Sequence, residues 1–172
     1  MSYRPICDTW ILARSKVKYY GAYPAGFLSR ARALLGVTIT QTVLHVCSGR
    51  VREYPFEGVG PFDLTVDADT ALKPDIVADV RKPFTAPAVD AILADPPYTE
   101  DDADHYAAGR ELLPAGADIM RRAVELLDPG QRLGILHYVW FKPIDGLKSI
   151  AVVTVLVGFN NRARLYSVYE RV

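Results

Sequence analysis

Cysteine is nearly absent from this 172-residue chain: only Cys7 and Cys47 occur. That is too few for a disulfide scaffold or a zinc cluster, and a reducing cytoplasm is the expected setting. Histidine is as scarce, with three residues, which argues against a multi-histidine metal centre. No apolar run approaches the roughly 20 residues that cross a bilayer. The opening Met1-Ser2-Tyr3-Arg4-Pro5 lacks the basic, apolar and small-residue order of a secretory leader. There is no Walker loop, no G-x-G-x-x-G and no Ser-His-Asp order, so phosphoryl transfer, dinucleotide binding and triad hydrolysis lack their usual signatures. Internal repeats and low-complexity linkers are missing too.

Half of the residues are apolar and the formal net charge is zero, a globular composition. The length suits one domain with a real core, read here as residues 1–36, an N-terminal segment and first helix, followed by a core over 37–172. The zero net charge conceals an asymmetry. No acidic residue lies between Thr9 and Arg52, a stretch that holds Arg14, Lys16, Lys18, Arg30, Arg32, Arg50 and Arg52. Acids dominate from Glu53 to Asp128, and the tail turns basic again through Arg132, Lys142, Lys148, Arg162, Arg164 and Arg171. Two basic segments of this kind predict a surface that attracts phosphates, against the plainer alternative of a solvated face.

Proline and glycine punctuate short apolar runs. Pro24 to Leu35 predicts a helix closed by Gly36, with Phe27, Leu28, Ala31, Leu34 and Leu35 at helical spacing. Four short strands are predicted at Thr42–Cys47, Phe62–Asp67, Asp75–Asp79 and Asp90–Ala94. A helix follows over Ala115–Leu127, then a strand over Arg132–Phe141. Ala151–Gly158 and Arg164–Arg171 read as a hairpin turned at Asn160-Asn161. Asp67, Asp79 and Asp95 each close a strand, and open α/β sheets bind ligands at that edge. The short connections after the first three strands leave little room for crossover helices. They predict a bare apolar face near Val43, Leu64, Val66, Ile76 and Val77, to be covered by Ile6–Val17, by a second copy of the chain or by a separate recognition subunit.

The most informative segment is Asp90-Ala-Ile-Leu-Ala-Asp95-Pro96-Pro97-Tyr98, an apolar strand running into Asp-Pro-Pro-Tyr. The prolines fix φ and remove two backbone donors, which leaves local carbonyls as acceptors. A carboxylate beside such a carbonyl can accept both hydrogens of a planar amino group and aim its lone pair at an electrophilic methyl. Tyr98 offers a flat face for a flipped base. Glu100, Asp101, Asp102, Asp104 and His105 behind it read as a solvated loop or helix start rather than a metal site. Tyr106, His137, Tyr138 and Trp140 are candidate neighbours of the cleft.

These residues resemble the class I S-adenosylmethionine-dependent methyltransferases, specifically the D-P-P-Y amino-methyltransferases of adenine N6 and cytosine N4. The resemblance runs from about Tyr19 to the C-terminus. It implies a Rossmann-like α/β sheet of seven strands with a terminal antiparallel hairpin, here with reduced helix content. Val43-Leu44-His45-Val46-Cys47-Ser48-Gly49-Arg50 is similar to the family's first glycine-rich motif, which implies that His45, Cys47, Ser48 and Gly49 lie against the cofactor. Asp67 stands where the family's acid binds the ribose hydroxyls. Ala78, Asp79 and Val80 match the motif whose acid meets the adenine amino group, and Tyr19, Tyr20 and Gly21 match the motif that closes over the cofactor. Asp95, Pro96, Pro97 and Tyr98 are then the catalytic residues. His45 replaces a usual acid and Val51 a usual glycine. The implied cofactor is S-adenosylmethionine, with no metal, and the implied partner is nucleic acid, DNA ahead of RNA, with no membrane. RNA or a glutamine side chain as acceptor, and a non-catalytic binding subunit, are the competing readings.

Overall fold

The computed structural model describes residues 4–16, 22–53, 58–105, 113–158 and 162–172. Eight strands form one sheet: β1 (Ile6–Leu12), β2 (Val43–Val46), β3 (Leu64–Asp67), β4 (Ile76–Val77), β5 (Ala91–Ala94), β6 (Arg132–His137), β7 (Leu147–Val157) and β8 (Arg164–Arg171). Their order is β1-β7-β8-β6-β5-β2-β3-β4. Neighbours are parallel except where β8 lies antiparallel to both β6 and β7. Among the described residues the helices are α1 (Phe27–Leu35), α2 (Glu100–His105) and α3 (Gly116–Leu126).

Side chains alternate across the central strands and build one core on each face. On one side Val43, Ala91, Leu93, Val153 and Tyr166 meet Phe27, Leu28, Ala31 and Leu35 of α1. Gly36 ends that helix in the left-handed conformation, as its position after Leu35 predicts. On the other side Leu44, Val46, Ile92, Leu133, Ile135 and Tyr169 meet Ile119, Met120 and Ala123 of α3. The buried tyrosines satisfy their hydroxyls on the Ala31 and Phe141 carbonyls, at 3.3 and 2.7 Å.

Two expectations are corrected. The sheet has eight strands, because Ile6–Leu12 does not fold over a face: it extends the edge beside β7, in register from Ile6 opposite Ala151 to Leu12 opposite Val157. Trp10 and Leu12 point inward, with Trp10 packed on Phe27 and Tyr166, while Ile11 faces out. The face expected to be bare is covered as well. Among the described residues, the connections after β2 and β3 each hold one 3₁₀ turn, at Val51–Glu53 and Thr70–Leu72. Val80, Phe84, Ala86 and Val89, from the irregular stretch between β4 and β5, pack on the core instead of a helix. Of the five apolar residues on which the bare-face expectation rested, only Val77 is exposed.

Beneath the sheet lies a polar cluster. Asp63, just before β3, accepts from Arg32 Nη1 of α1 at 2.8 Å and contacts His45 Nε2 of β2 at 3.1 Å. It also accepts the Gly60 and Val43 backbone N–H groups at 2.7 and 3.0 Å. All three side chains are buried. A side chain on Gly60 would strike the Ile39 carbonyl, 2.6 Å from the position of its Cβ, and the Arg32 guanidinium.

Candidate active site at the carboxyl edge of the sheet

Strands β2, β3, β4 and β5 run parallel and all point the same end toward one edge. The residues that leave them there are Cys47, Asp67, Ala78 and Asp95. The Cys47 thiol is pushed well up, first by burial and then by the charges of Asp67, Asp95 and Asp79, which places one sulfur among three carboxylates. The three strand-end acids found in the sequence therefore converge.

The loop after β2 is shaped by two left-handed residues, Cys47 with φ of 53° and Gly49 with φ of 51°. Gly49 N–H donates to Asp67 Oδ2 at 3.0 Å, and Asp69 N–H donates to Oδ1 at 3.0 Å. Asp67 is thus fixed with a lone pair left on each oxygen, and burial raises its pKa. The space where a Gly49 side chain would stand is open. Ser48 is buried, and its Oγ has no hydrogen-bond partner among the described residues. An open glycine cradle, an unused buried hydroxyl and a held carboxylate are what a ribose and an amino-acid tail require, so these residues fit the implied cofactor.

Other predicted residues differ in placement. His45 is not brought to this edge: its ring is turned to Asp63 at the opposite end of the strands, so only its backbone borders the loop. Val80 is buried in the core. Asp79 is paired with Arg81, whose Nε and Nη2 lie 2.9 and 2.8 Å from its two oxygens, and this pairing holds the carboxyl below the usual range. Tyr19, Tyr20, Gly21 and Tyr106 lie outside the described residues, as does the Asn160-Asn161 turn. Tyr23, from the same N-terminal motif, is described. It is buried and stacks on Phe27 at 5.3 Å.

The Asp95-Pro96-Pro97-Tyr98 segment leaves β5 with Asp95 N–H tied to the Val46 carbonyl at 3.2 Å. Pro96 is buried and Pro97 half-buried. Tyr98 Oη donates to Asp95 Oδ1 at 2.5 Å. Burial, then the Asp95 charge, pushes the phenol far up, so it stays protonated and remains the donor. Burial raises Asp95 to about 6, against the pull of Arg164 and the Tyr98 hydrogen bond. Around Tyr98 stand His137 at 5.1 Å and Tyr138 at 4.5 Å, with Phe141 at 4.8 Å from His137. Arg162 lies over the Tyr138 ring at 5.8 Å. Burial lowers His137, so its imidazole is neutral at pH 7. Trp140 and Val139 are exposed just beyond. The acids behind Tyr98 begin α2, where Thr99 Oγ1 accepts the Asp102 N–H at 3.1 Å. Among the described residues no cluster has the make-up of a metal site.

The fold is similar to those of known proteins. It matches the crystal structure of TrmN from Thermus thermophilus, at TM-score 0.64 and 20% identity, over 89% of this chain and 50% of that one. It is also similar to a SAM-dependent methyltransferase from Aquifex aeolicus, at 0.55 and 13%, over 85% and 90% of the two chains. The N-methyltransferase NodS from Bradyrhizobium japonicum WM9, in complex with S-adenosyl-L-homocysteine, matches at 0.53 and 13%, over 84% and 85%. The fold is that of the class I methyltransferases. This chain spans half the length of the TrmN chain. No protein-family model matches the sequence, and no curated protein matches it.

The fold accounts for the crowding of acids at one edge: in sheet order, β5, β2, β3 and β4 deliver Asp95, Cys47, Asp67 and Asp79 along it. Sequence reasoning missed Arg81, Asp63 and the approach of Arg164 to Tyr98. Arg81 lies two residues from Asp79, a spacing that could have signalled the pair. Arg164 is 66 residues from Tyr98, and nothing local could have signalled it.

Proposed function

We propose that this chain is an S-adenosylmethionine-dependent N-methyltransferase whose acceptor is an exocyclic amino nitrogen of a nucleic-acid base, DNA ahead of RNA. The observation that carries the reading is the half-buried Asp95 carboxylate, hydrogen-bonded at 2.5 Å to Tyr98, at the strand end beside the Cys47–Gly49 loop. The bound cofactor supplies a methyl group on a positively charged sulfur. The chain's own residues do the rest. Gly49, Ser48 and Asp67 hold the cofactor. The Asp95 carboxylate, with the Pro96 carbonyl, accepts the amine hydrogens in place of the Tyr98 hydroxyl and orients the nitrogen lone pair. Tyr98, Tyr138 and His137 provide aromatic surface for a base, and Arg162 provides charge beside it. The work is positioning and electrostatics, with no covalent intermediate on the protein. The adenine-N6 and cytosine-N4 type rests on the Asp95–Tyr98 tetrapeptide.

The test is incubation of the full chain with methyl-labelled cofactor and DNA, RNA and protein acceptors, followed by mass spectrometry of the nucleosides. Label on adenine N6 or cytosine N4, lost in Asp95→Ala while cofactor binding persists, is the expected result. A wild-type chain that binds neither S-adenosylmethionine nor its demethylated product would overturn the proposal.

A further inference from the structure

The guanidinium beside the Asp95–Tyr98 pair comes from β8, which runs against its neighbours. Because β8 is antiparallel to β6 and β7, its first residue, Arg164, arrives at the carboxyl edge where the other strands end. There Arg164 Nη1 donates to Tyr98 Oη at 3.5 Å, and the same oxygen donates to Asp95 Oδ1 at 2.5 Å. A chain of three groups from two distant segments thus ends on the carboxylate. We infer that Arg164 is a positioning residue of the transfer reaction, its guanidinium beside the Asp95–Tyr98 pair holding Asp95 in the state that accepts the substrate amine. This rests on the proposed role of Asp95 as the acceptor of that amine.

The physical need follows from what a carboxyl group can do. Ionised, it accepts two N–H bonds. Protonated, it donates from one oxygen and keeps only the other as an uncharged, weaker acceptor for an amino group. Burial favours the protonated form. The groups that act on Asp95 from the surrounding elements are Tyr98 behind β5, Arg164 on β8 and Asp102 on α2. Tyr23, ahead of α1, and Cys47, at the end of β2, both feel its charge. Tyr23 and Cys47 stay neutral, because burial pushes both up, and Asp102 opposes ionisation. The cation that favours the anion is Arg164. Asp95 stands at about 6 in its presence, and loss of the guanidinium raises the carboxyl further, which favours the protonated form.

A carbon-13 carboxyl titration decides this without any substrate. The full chain is labelled at aspartate, and Asp95 is assigned by its loss in Asp95→Asn. Its midpoint is then measured in wild type, Arg164→Gln and Arg164→Lys. The expected result is a rise of about one unit or more in Arg164→Gln, a tenfold change in proton affinity, with Arg164→Lys nearer to wild type. Where methyl transfer is measured, the acid limb of kcat/KM moves up with the carboxyl, and the cofactor KM stays unchanged. Equal Asp95 midpoints in Arg164→Gln and Arg164→Lys overturn the inference, whatever the activity of either variant. Should the chain methylate no acceptor, the proposed function fails by itself, and the titration still reports on Arg164. Retained thermal unfolding in Arg164→Lys controls for folding, and if Arg164→Gln does not fold, Arg164→Met takes its place against the same criterion.

Discussion

Removing the Asp63 carboxylate should destabilise the fold more than any change at the candidate active site. Asp63 takes hydrogen bonds from Arg32, His45 and the Gly60 and Val43 amides. Burial alone would push its pKa up, but the bonds from His45 and Arg32 outweigh burial and hold it below the ordinary range. A group lowered on folding stabilises above its unfolded value, about pH 4, and that contribution is lost as the pH falls through the folded value. Breaking a buried pair by deleting one partner costs about 3–5 kcal/mol, because the other charge is left uncompensated. Here the cost should lie near the lower end. Arg32 keeps the Thr38 carbonyl at 3.1 Å, the Gly58 carbonyl at 3.4 Å and the Gln41 carbonyl as acceptors. Asp63→Ala is therefore expected to cost about 3 kcal/mol, out of a total of about 5–15 for a domain. For a chain of this length that is roughly 6–12 °C in Tm.

Urea unfolding at pH 7 measures it: the midpoint should fall with the slope unchanged. Removing both charges in Asp63→Ala with Arg32→Met should cost less than the sum of the single changes, since neither charge is then stranded. The acid dependence of stability should also weaken in Asp63→Asn. A loss below about 1 kcal/mol for Asp63→Ala, or strict additivity in the double variant, would refute the view that this cluster is a coupled, desolvated unit.

Two further outcomes concern ligands. Asp67→Ala should weaken cofactor binding by about 1–3 kcal/mol in calorimetry, because the ribose contacts proposed for it go unmade; unchanged affinity would remove Asp67 from the cofactor site. Nucleic-acid affinity should fall with salt, each phosphate contact adding roughly 0.7–0.9 to the log–log slope, and an affinity indifferent to salt would point to a protein or small-molecule acceptor.

The strand ends were legible because each ends an apolar run on an acid before proline, glycine or a turn. Asp67, Asp79 and Asp95 converge as that pattern predicts. Edge strand β1 was not legible. A strand wet on most of its surface shows no clean alternation, and Ile6 and Ile11 are both exposed. The basic runs are divided in their use. Read as a phosphate surface, they contain arginines spent on the fold: Arg32 on Asp63, Arg52 on Asp75, Arg132 on Glu170 and the Leu34 carbonyl, and Arg171 on the Val124 and Gly146 carbonyls. A guanidinium's long stem and five donors let it serve buried carbonyls as readily as phosphates, and sequence does not record which. Arg162 and Arg164, by contrast, stand at Tyr138 and Tyr98, where charge beside an aromatic site is of use to a ligand.

His45 and Val51 each have a structural role. His45 meets the Asp63 carboxylate at 3.1 Å. The contact ties β2 to the loop before β3. At position 51 a second glycine would be required only if the chain took a left-handed conformation there. The chain instead takes it at Cys47 and Gly49, and Val51 opens a 3₁₀ turn with its side chain in the core. A β-branched residue is comfortable in that place, so the loop reaches Asp67 through Gly49 N–H without it. The left-handed Cys47 carries the strain of this arrangement, since a non-glycine residue rarely adopts that φ, and it does so at the one point where Asp67, Asp79 and Asp95 all act on its side chain.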